Sequence, residues 1–301
     1  MNIKRIVVLF GFDMESDVGS WTTEYNGLKY GTPKILKILR KYNVKATFFF
    51  TGKAAEASHG IVRLVRKNGH EIGCHTLYHE TVGDEIFPIP FMNPIMKNEV
   101  KDRLHAATET IKRISNVRPV SFRAPRLFCS TEVINGLEEL GYIVDASYPL
   151  YYYKKQLLPY HPSKNDWTEK GNLDILEIPN FADMTIKSKD KFGRDRDQWP
   201  KFRTEGADVL LKSIDRVTKL MHSKSDEAVL CFYMHPWEFI PMPKSINTAE
   251  ASISFKEFLW KNTGDYACRQ LDKLIRGLVD RGSDIMSMKE YAGNNKINKS
   301  K

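Results

Sequence analysis

The stretch Ile6-Val7-Val8-Leu9-Phe10-Gly11-Phe12-Asp13-Met14-Glu15-Ser16-Asp17 begins as a β-branched and aromatic run and ends in alternating carboxylates. An apolar run this short, bounded by polar residues, reads as a buried strand. Comparable runs recur at 46–50, 71–74, 120–122, 143–145, 175–178, 229–234 and 285–288. Segments of helical period lie between them. In one, Thr32 serves as a cap, Pro33 suits the first helical position, and Ile35, Ile38, Leu39 and Tyr42 share a face. Others carry Ile61, Leu64 and Val65 up to Gly69, then Val100, Leu104, Ala107, Ile111 and Ile114. Further along come Val133, Ile134, Leu137 and Leu140 up to Gly141, a stripe of Val209, Leu210, Ile214, Val217 and Met221, and finally Leu271, Leu274, Ile275 and Leu278. Strand alternating with helix predicts a parallel sheet covered by helices, and about seven or eight strands predict closure into a barrel.

The 301 residues show no break in composition, so we expect one domain over residues 1–293 followed by a basic tail, 294–301. A hydrophobic content of 42% against 28% charged residues is that of an ordinary globular chain. No apolar run reaches the roughly 20 residues needed to cross a bilayer, and the first strand flows into acids rather than into a small-residue cleavage site. Cys74, Cys129, Cys231 and Cys268 are scattered and form no C-x-x-C pair, which fits a reducing, cytoplasmic setting. The net charge of +9 suits an anionic partner. The basic segment 187–203 is, however, interrupted by aspartates and reads as a solvated loop, with no nucleic-acid motif beside it. The long inserts 150–172 and 241–264 are expected to line a site. The sequence is compatible with a homo-oligomer.

Reactive residues belong at the C-terminal ends of the strands of a parallel barrel. Asp13, Glu15 and Asp17 follow the first strand, His75 and His79 the third, Arg123 the fourth, Asp145 the fifth and His235-Pro236-Trp237 the seventh. Two histidines four apart fall on one side of a helical turn and reach a single ion. A catalytic ion needs a third protein ligand, and the acids of the first strand supply it. Asp13 and Glu15 alternate along an extended chain and so face the same way, as base and ligand. Arg123, in a buried-looking place, needs a carboxylate partner, for which Asp13 is the candidate. His235 titrates near neutrality and suits proton transfer.

In this order the blocks resemble the polysaccharide deacetylase family, also called the NodB-homology or carbohydrate esterase 4 family. FDMESD is similar to its first block, HTLYH within GHEIGCHTLYHE to the second, FRAPR to the third, DASY to the fourth and YMHPW to the fifth, while IMSMKEYA resembles its last strand. The acid-rich first block, the Gly19-Ser20-Trp21 after it and EIPN at 177–180 resemble the branch of intracellular-type peptidoglycan deacetylases and allantoinase relatives. The resemblance implies a distorted, incomplete (β/α)7-type barrel binding one divalent metal ion, usually zinc. It implies Asp13 as base, His75 and His79 as ligands, Arg123 as the residue that holds the base, His235 as general acid and Asp145 as the acid that tunes it. Where the widespread first block has adjacent aspartates, Met14 follows Asp13 here. The third ligand is therefore open between Glu15, which the near branch favours, and Asp17. Arg126 stands where many relatives carry an aromatic residue, and its backbone N–H is expected toward the oxyanion.

The activity implied is hydrolysis of the acetamide of an N-acetylated carbohydrate, with Arg126, Trp237 and the Tyr148 cluster as substrate contacts. Trp21, Tyr151, Tyr152 and Tyr153 are further aromatic platforms. Two alternatives remain: a hydrolase of non-sugar amides of the allantoinase kind, and a catalytically silent carbohydrate-binding barrel.

Overall fold

A computed structural model describes residues 4–89, 92–247 and 252–299. Its strands are β1 (Arg5–Met14), β2 (Thr47–Phe50), β3 (Glu71–Cys74), β4 (Ser121–Phe122), β5 (Val144–Asp145), β6 (Leu176–Glu177) and β7 (Glu227–Met234), then β8 (Ser245–Asn247), β9 (Ser252–Ser254) and β10 (Asp284–Met286). Strands β1 to β6 pair in sequence order, all parallel, and β7 returns to pair with β1 from Arg5↔Glu227 to Phe12↔Met234. The opposite edge of β1 is shared: β10 takes Val7 to Leu9 and β2 takes Gly11 to Met14. Between β6 and β7 the sheet meets through a parallel bridge, Asn180↔Cys231, with Phe181 N–H donating to Cys231 O at 2.7 Å. The result is a distorted, incomplete (β/α) barrel with a thin seam.

The period of two along β1 sets the layers. Val8, Phe10, Phe12 and Met14 point outward into the core beneath the helices, whereas Val7 and Leu9 point inward with Phe49, Val144, Ile178, Val229 and Cys231. Each such side chain removed from water contributes roughly 1.5–3 kcal/mol. The inward series then changes character: after Leu9 come Gly11, Asp13 and Glu15, so the barrel is apolar at its base and polar at its mouth.

The base is plugged. Met288, Tyr291 and Ala292 of the helix Met288–Lys299 pack into the inner cluster. Thr47 Oγ1 and Glu71 Oε2 accept the backbone N–H groups of Met288 and Lys289, both at 3.0 Å, satisfying donors that begin that helix. The helix runs on through residue 294, where the basic tail is expected from sequence. Helices Thr32–Lys41, His59–Lys67, Val100–Ser115, Thr131–Glu139, Ala207–His222 and Asp265–Val279 cover the outside. Among the described residues no helix is long and apolar enough to cross a membrane.

Two local expectations fail. Thr32 does not cap: a π-helical turn, Gly27–Gly31, leads straight into the helix, and Thr32 Oγ1 is buried without a partner. Val209, expected on the apolar stripe, is 41% exposed, because that stripe turns Leu210, Ile214 and Val217 inward.

Candidate active site at the barrel mouth

The ends of β1, β3 and β7 and the turn after β4 deliver reactive side chains to one cavity, of about 490 Å³, on whose wall lie Asp13, Glu15, His75, His79, Arg126, His235 and Trp237. Asp13 and Glu15 arrive from the inward face of β1. Glu15 Oε2 lies 2.6 Å from His79 Nε2 and 3.5 Å from His75 Nε2. One carboxylate oxygen and two ring nitrogens thus fall within 4.8 Å of one another, among the described residues the group suited to hold a metal ion. Burial works against the Glu15 charge, but His79 and the hydrogen bonds from both histidines hold its carboxyl well below the usual range.

The histidine pair is not helical, although its spacing suggests a helical turn. It lies on the loop after β3, where Thr76 and His79 take positive φ values of 66° and 64°, and the ring centroids stand 5.2 Å apart. His75 Nδ1 is 2.7 Å from Arg123 O, which fixes the ring and turns Nε2 toward Glu15. Asp17 is elsewhere: it accepts the backbone N–H of Gly27 at 2.7 Å and of Asn26 at 3.0 Å, tying down the segment between β1 and the π-helical turn. Of the two acids open as third ligand, only Glu15 stands with the histidines.

Asp13 pairs with Arg123, Nη1 to Oδ1, at 2.9 Å. Arg123 is fully buried. Its Nε donates to Ala146 O at 3.1 Å, and its guanidinium lies over Phe49 with Cζ 4.6 Å from the ring centroid. Nη2 spans the seam, toward Asn180 Oδ1 at 3.4 Å and Phe232 O at 3.5 Å. Gly11 makes this seat possible, since a Cβ there would lie 2.1 Å from Nη1.

His235 has an acid beside it, but not the one implied by the resemblance. Its Nδ1 is 3.0 Å from Glu238 Oε1, which also accepts His235 N–H and Trp199 Nε1–H at 3.0 Å each. Glu238 Oε2 receives Arg203 Nε at 2.6 Å, with both side chains wholly buried. Burial opposes the imidazolium, but Glu238, with Glu15 and Asp13 near, lifts the His235 pKa to about 9. A cation held by Glu15 would reduce that lift.

Asp145 contacts Ser147 and Cys129 rather than His235. It accepts Ser147 Oγ at 2.6 Å, and burial raises both its pKa and that of its neighbour Glu177. Its surroundings are those of a buried acid that organises the ends of β5 and β6, because Glu177 in turn accepts the N–H groups of Ser147 and Tyr148 at 3.2 and 2.9 Å.

Tyr148 also leaves the site: fully buried, it packs edge-on against Trp167 and Tyr160, since the 150–172 insert folds over it. Trp237 does line the cavity, stacked on His235 at 5.2 Å. Arg126 holds the histidine loop through Nη1 to His79 O at 3.2 Å and takes a positive φ of 59°. Other wall residues escape the sequence reading: Trp199 and Arg194 from the segment read as a solvated loop, and Phe87. The 241–264 insert does line the site, through Ile253, Phe255, Phe258 and Leu259.

The family model described as polysaccharide deacetylase matches residues 7–144. A peptidoglycan-N-acetylglucosamine deacetylase from Bacillus cereus is 27% identical over 159 residues, 53% of this chain and 63% of that protein, so the match spans less than two thirds of the relative's length. Among solved structures, one from Mycobacterium smegmatis whose name places it with the polysaccharide deacetylases shares the fold, at a TM-score of 0.64 and 18% identity over 99% of this chain and 92% of that one. An allantoinase structure shares it at a TM-score of 0.59 and 15% identity, over 96% and 89% of the two chains.

Proposed function

We propose, from the match of residues 7–144 to the polysaccharide deacetylase family model, that the chain hydrolyses the acetamide of an N-acetylated carbohydrate, releasing acetate and an amino sugar. The observation that carries this reading is the meeting of Glu15, His75 and His79 with the Asp13–Arg123 and His235–Glu238 pairs in one cavity.

The donor set fits a divalent ion of the zinc type: two imidazole Nε2 atoms and a carboxylate, with His75 oriented from behind by the Arg123 carbonyl. Bound there, such an ion supplies Lewis-acid polarisation of the acyl carbonyl and acidifies water. Asp13 accepts the proton of the attacking water, and Arg123 holds and aims that carboxylate. The water oxygen bonds to the acyl carbon, and the backbone N–H of Arg126 faces the oxygen that gains charge; a donor of this kind is worth about 3–4 kcal/mol in other hydrolases. His235, its Nδ1 engaged by Glu238, gives the Nε2 proton to nitrogen as the carbon–nitrogen bond breaks.

The test is acetate release from N-acetylhexosamine oligomers by zinc-loaded protein, with cyclic ureides as a parallel panel. Wild-type release that falls at least a hundredfold in Asp13→Asn and in His235→Ala is expected. Release unchanged in both variants would overturn the assignment, and turnover of the ureides alone would move the chain to the allantoinase-like reading.

A further inference from the structure

The cavity wall contains a cation that the proposed chemistry does not use. Arg194 sits on the short turn Arg194–Arg196, half-buried, with its guanidinium over the ring of Phe87 at 4.7 Å. Among the described residues it makes no side-chain ion pair. Asp197, three residues on, is engaged by the Tyr233 hydroxyl, and Asp190 accepts backbone N–H groups of Phe192 and Arg194. The other half-buried arginine of the wall, Arg126, is occupied with His79 O and Thr81 Oγ1.

A guanidinium carries five N–H donors in a planar fork that matches the oxygens of a carboxylate or phosphate. Partial burial removes part of its water, so donors left without protein acceptors favour a ligand that brings them. The acids on the same wall are committed: Glu15 to the two histidines and Asp13 to Arg123. Phe87 packs against the guanidinium, and both residues line the cavity.

We propose that Arg194 is a specificity residue, binding an anionic oxygen group, carboxylate or phosphate, carried by the substrate near its acetamide. This rests on the deacetylase reading for the identity of the substrate, though not for the existence of the anion subsite. The substrate class becomes acidic N-acetyl sugars, either sugar acids or phosphosugars.

Calorimetric binding to zinc-loaded protein tests it, with N-acetylmuramic acid, N-acetylglucosamine 1-phosphate and neutral N-acetylglucosamine as probes. Wild type is expected to bind one of the acidic sugars at least tenfold more tightly than the neutral one. Arg194→Met, which keeps the packing on Phe87, is expected to bring that ratio toward one, and Arg194→Lys to restore part of it. Whichever acidic sugar shows the preference names the source of the charge. Equal binding of acidic and neutral sugars by wild type, or a ratio unchanged in Arg194→Met, overturns the proposal while acetate release leaves the deacetylase reading standing. If no sugar is bound or hydrolysed, N-acetylglycine against neutral N-methylacetamide decides: a preference lost in Arg194→Met upholds the anion subsite without the sugar, and no preference overturns it.

Discussion

Replacing Gly11 by Ala adds one methyl group in the middle of β1 and is expected to cost far more than a strand substitution of this kind. The new Cβ would lie 2.1 Å from Arg123 Nη1 and 2.7 Å from Cζ and Nη2, where contacts between such atoms settle at about 3.5 Å. The guanidinium has no room to withdraw, being held by Asp13, by Ala146 O and against Phe49. If the strand gives way, overpacking costs roughly 1–3 kcal/mol. If the guanidinium gives way, a fully buried ion pair is broken at about 3–5 kcal/mol. Urea unfolding followed by tryptophan fluorescence should therefore show a loss of about 1–5 kcal/mol, with acetate release falling alongside. Gly60 is the control: it lies in the helix His59–Lys67 with nothing within 4 Å of its virtual Cβ, so Gly60→Ala should gain up to about 1 kcal/mol. A Gly11→Ala protein within about 0.5 kcal/mol of wild type and fully active would refute the seat described for Arg123.

Zinc titration separates the two acids after Asp13: Glu15→Ala should abolish stoichiometric binding, whereas Asp17→Ala should retain the ion and lower stability by about 1–3 kcal/mol through the orphaned Asn26 and Gly27 N–H groups; the reverse order would exchange their roles. Glu238→Gln should destabilise by about 3 kcal/mol by leaving Arg203 buried and unpaired, and should lower turnover more than Asp145→Asn does. An equal effect of the two on turnover would contradict the partner assigned to His235. Burial, with the charge of Lys45 nearby, pushes the His70 pKa down to about 4. Because the unfolded chain takes its proton near 6.5, stability is complete above that pH, falls by at most about 3 kcal/mol between pH 6.5 and 4, and is level below. His70→Asn should flatten this part of a urea-midpoint profile, and an unaltered slope would assign it to another group.

The parts of the site readable from sequence are those in which local periodicity fixes direction. Asp13 and Glu15 share a face because β1 is extended through Met14, and each strand end points to the mouth because every strand of the main sheet is parallel. Asp17 escapes because its direction depends on residues 18–27 folding back to present two N–H groups. The partner of His235 carries a local sequence signal: Glu238 stands three residues on, across Pro236, as a capping box. Tyr148 misled because aromatic residues that flank a sugar site and those that pack a loop have the same composition; only its burial against Trp167 separates them. Arg194 and Trp199 were hidden by the charge of the segment around them, which masked a turn reaching the cavity.

The thin seam between β6 and β7 gives Arg123 two employers. Its Nη1 aims the base, while Nη2 reaches Asn180, just past β6, and Phe232 on β7, and Nε reaches Ala146, just past β5. A change that retunes the base through this arginine therefore also loosens the closure of the barrel. Variation at this one side chain meets activity and integrity as a single trait.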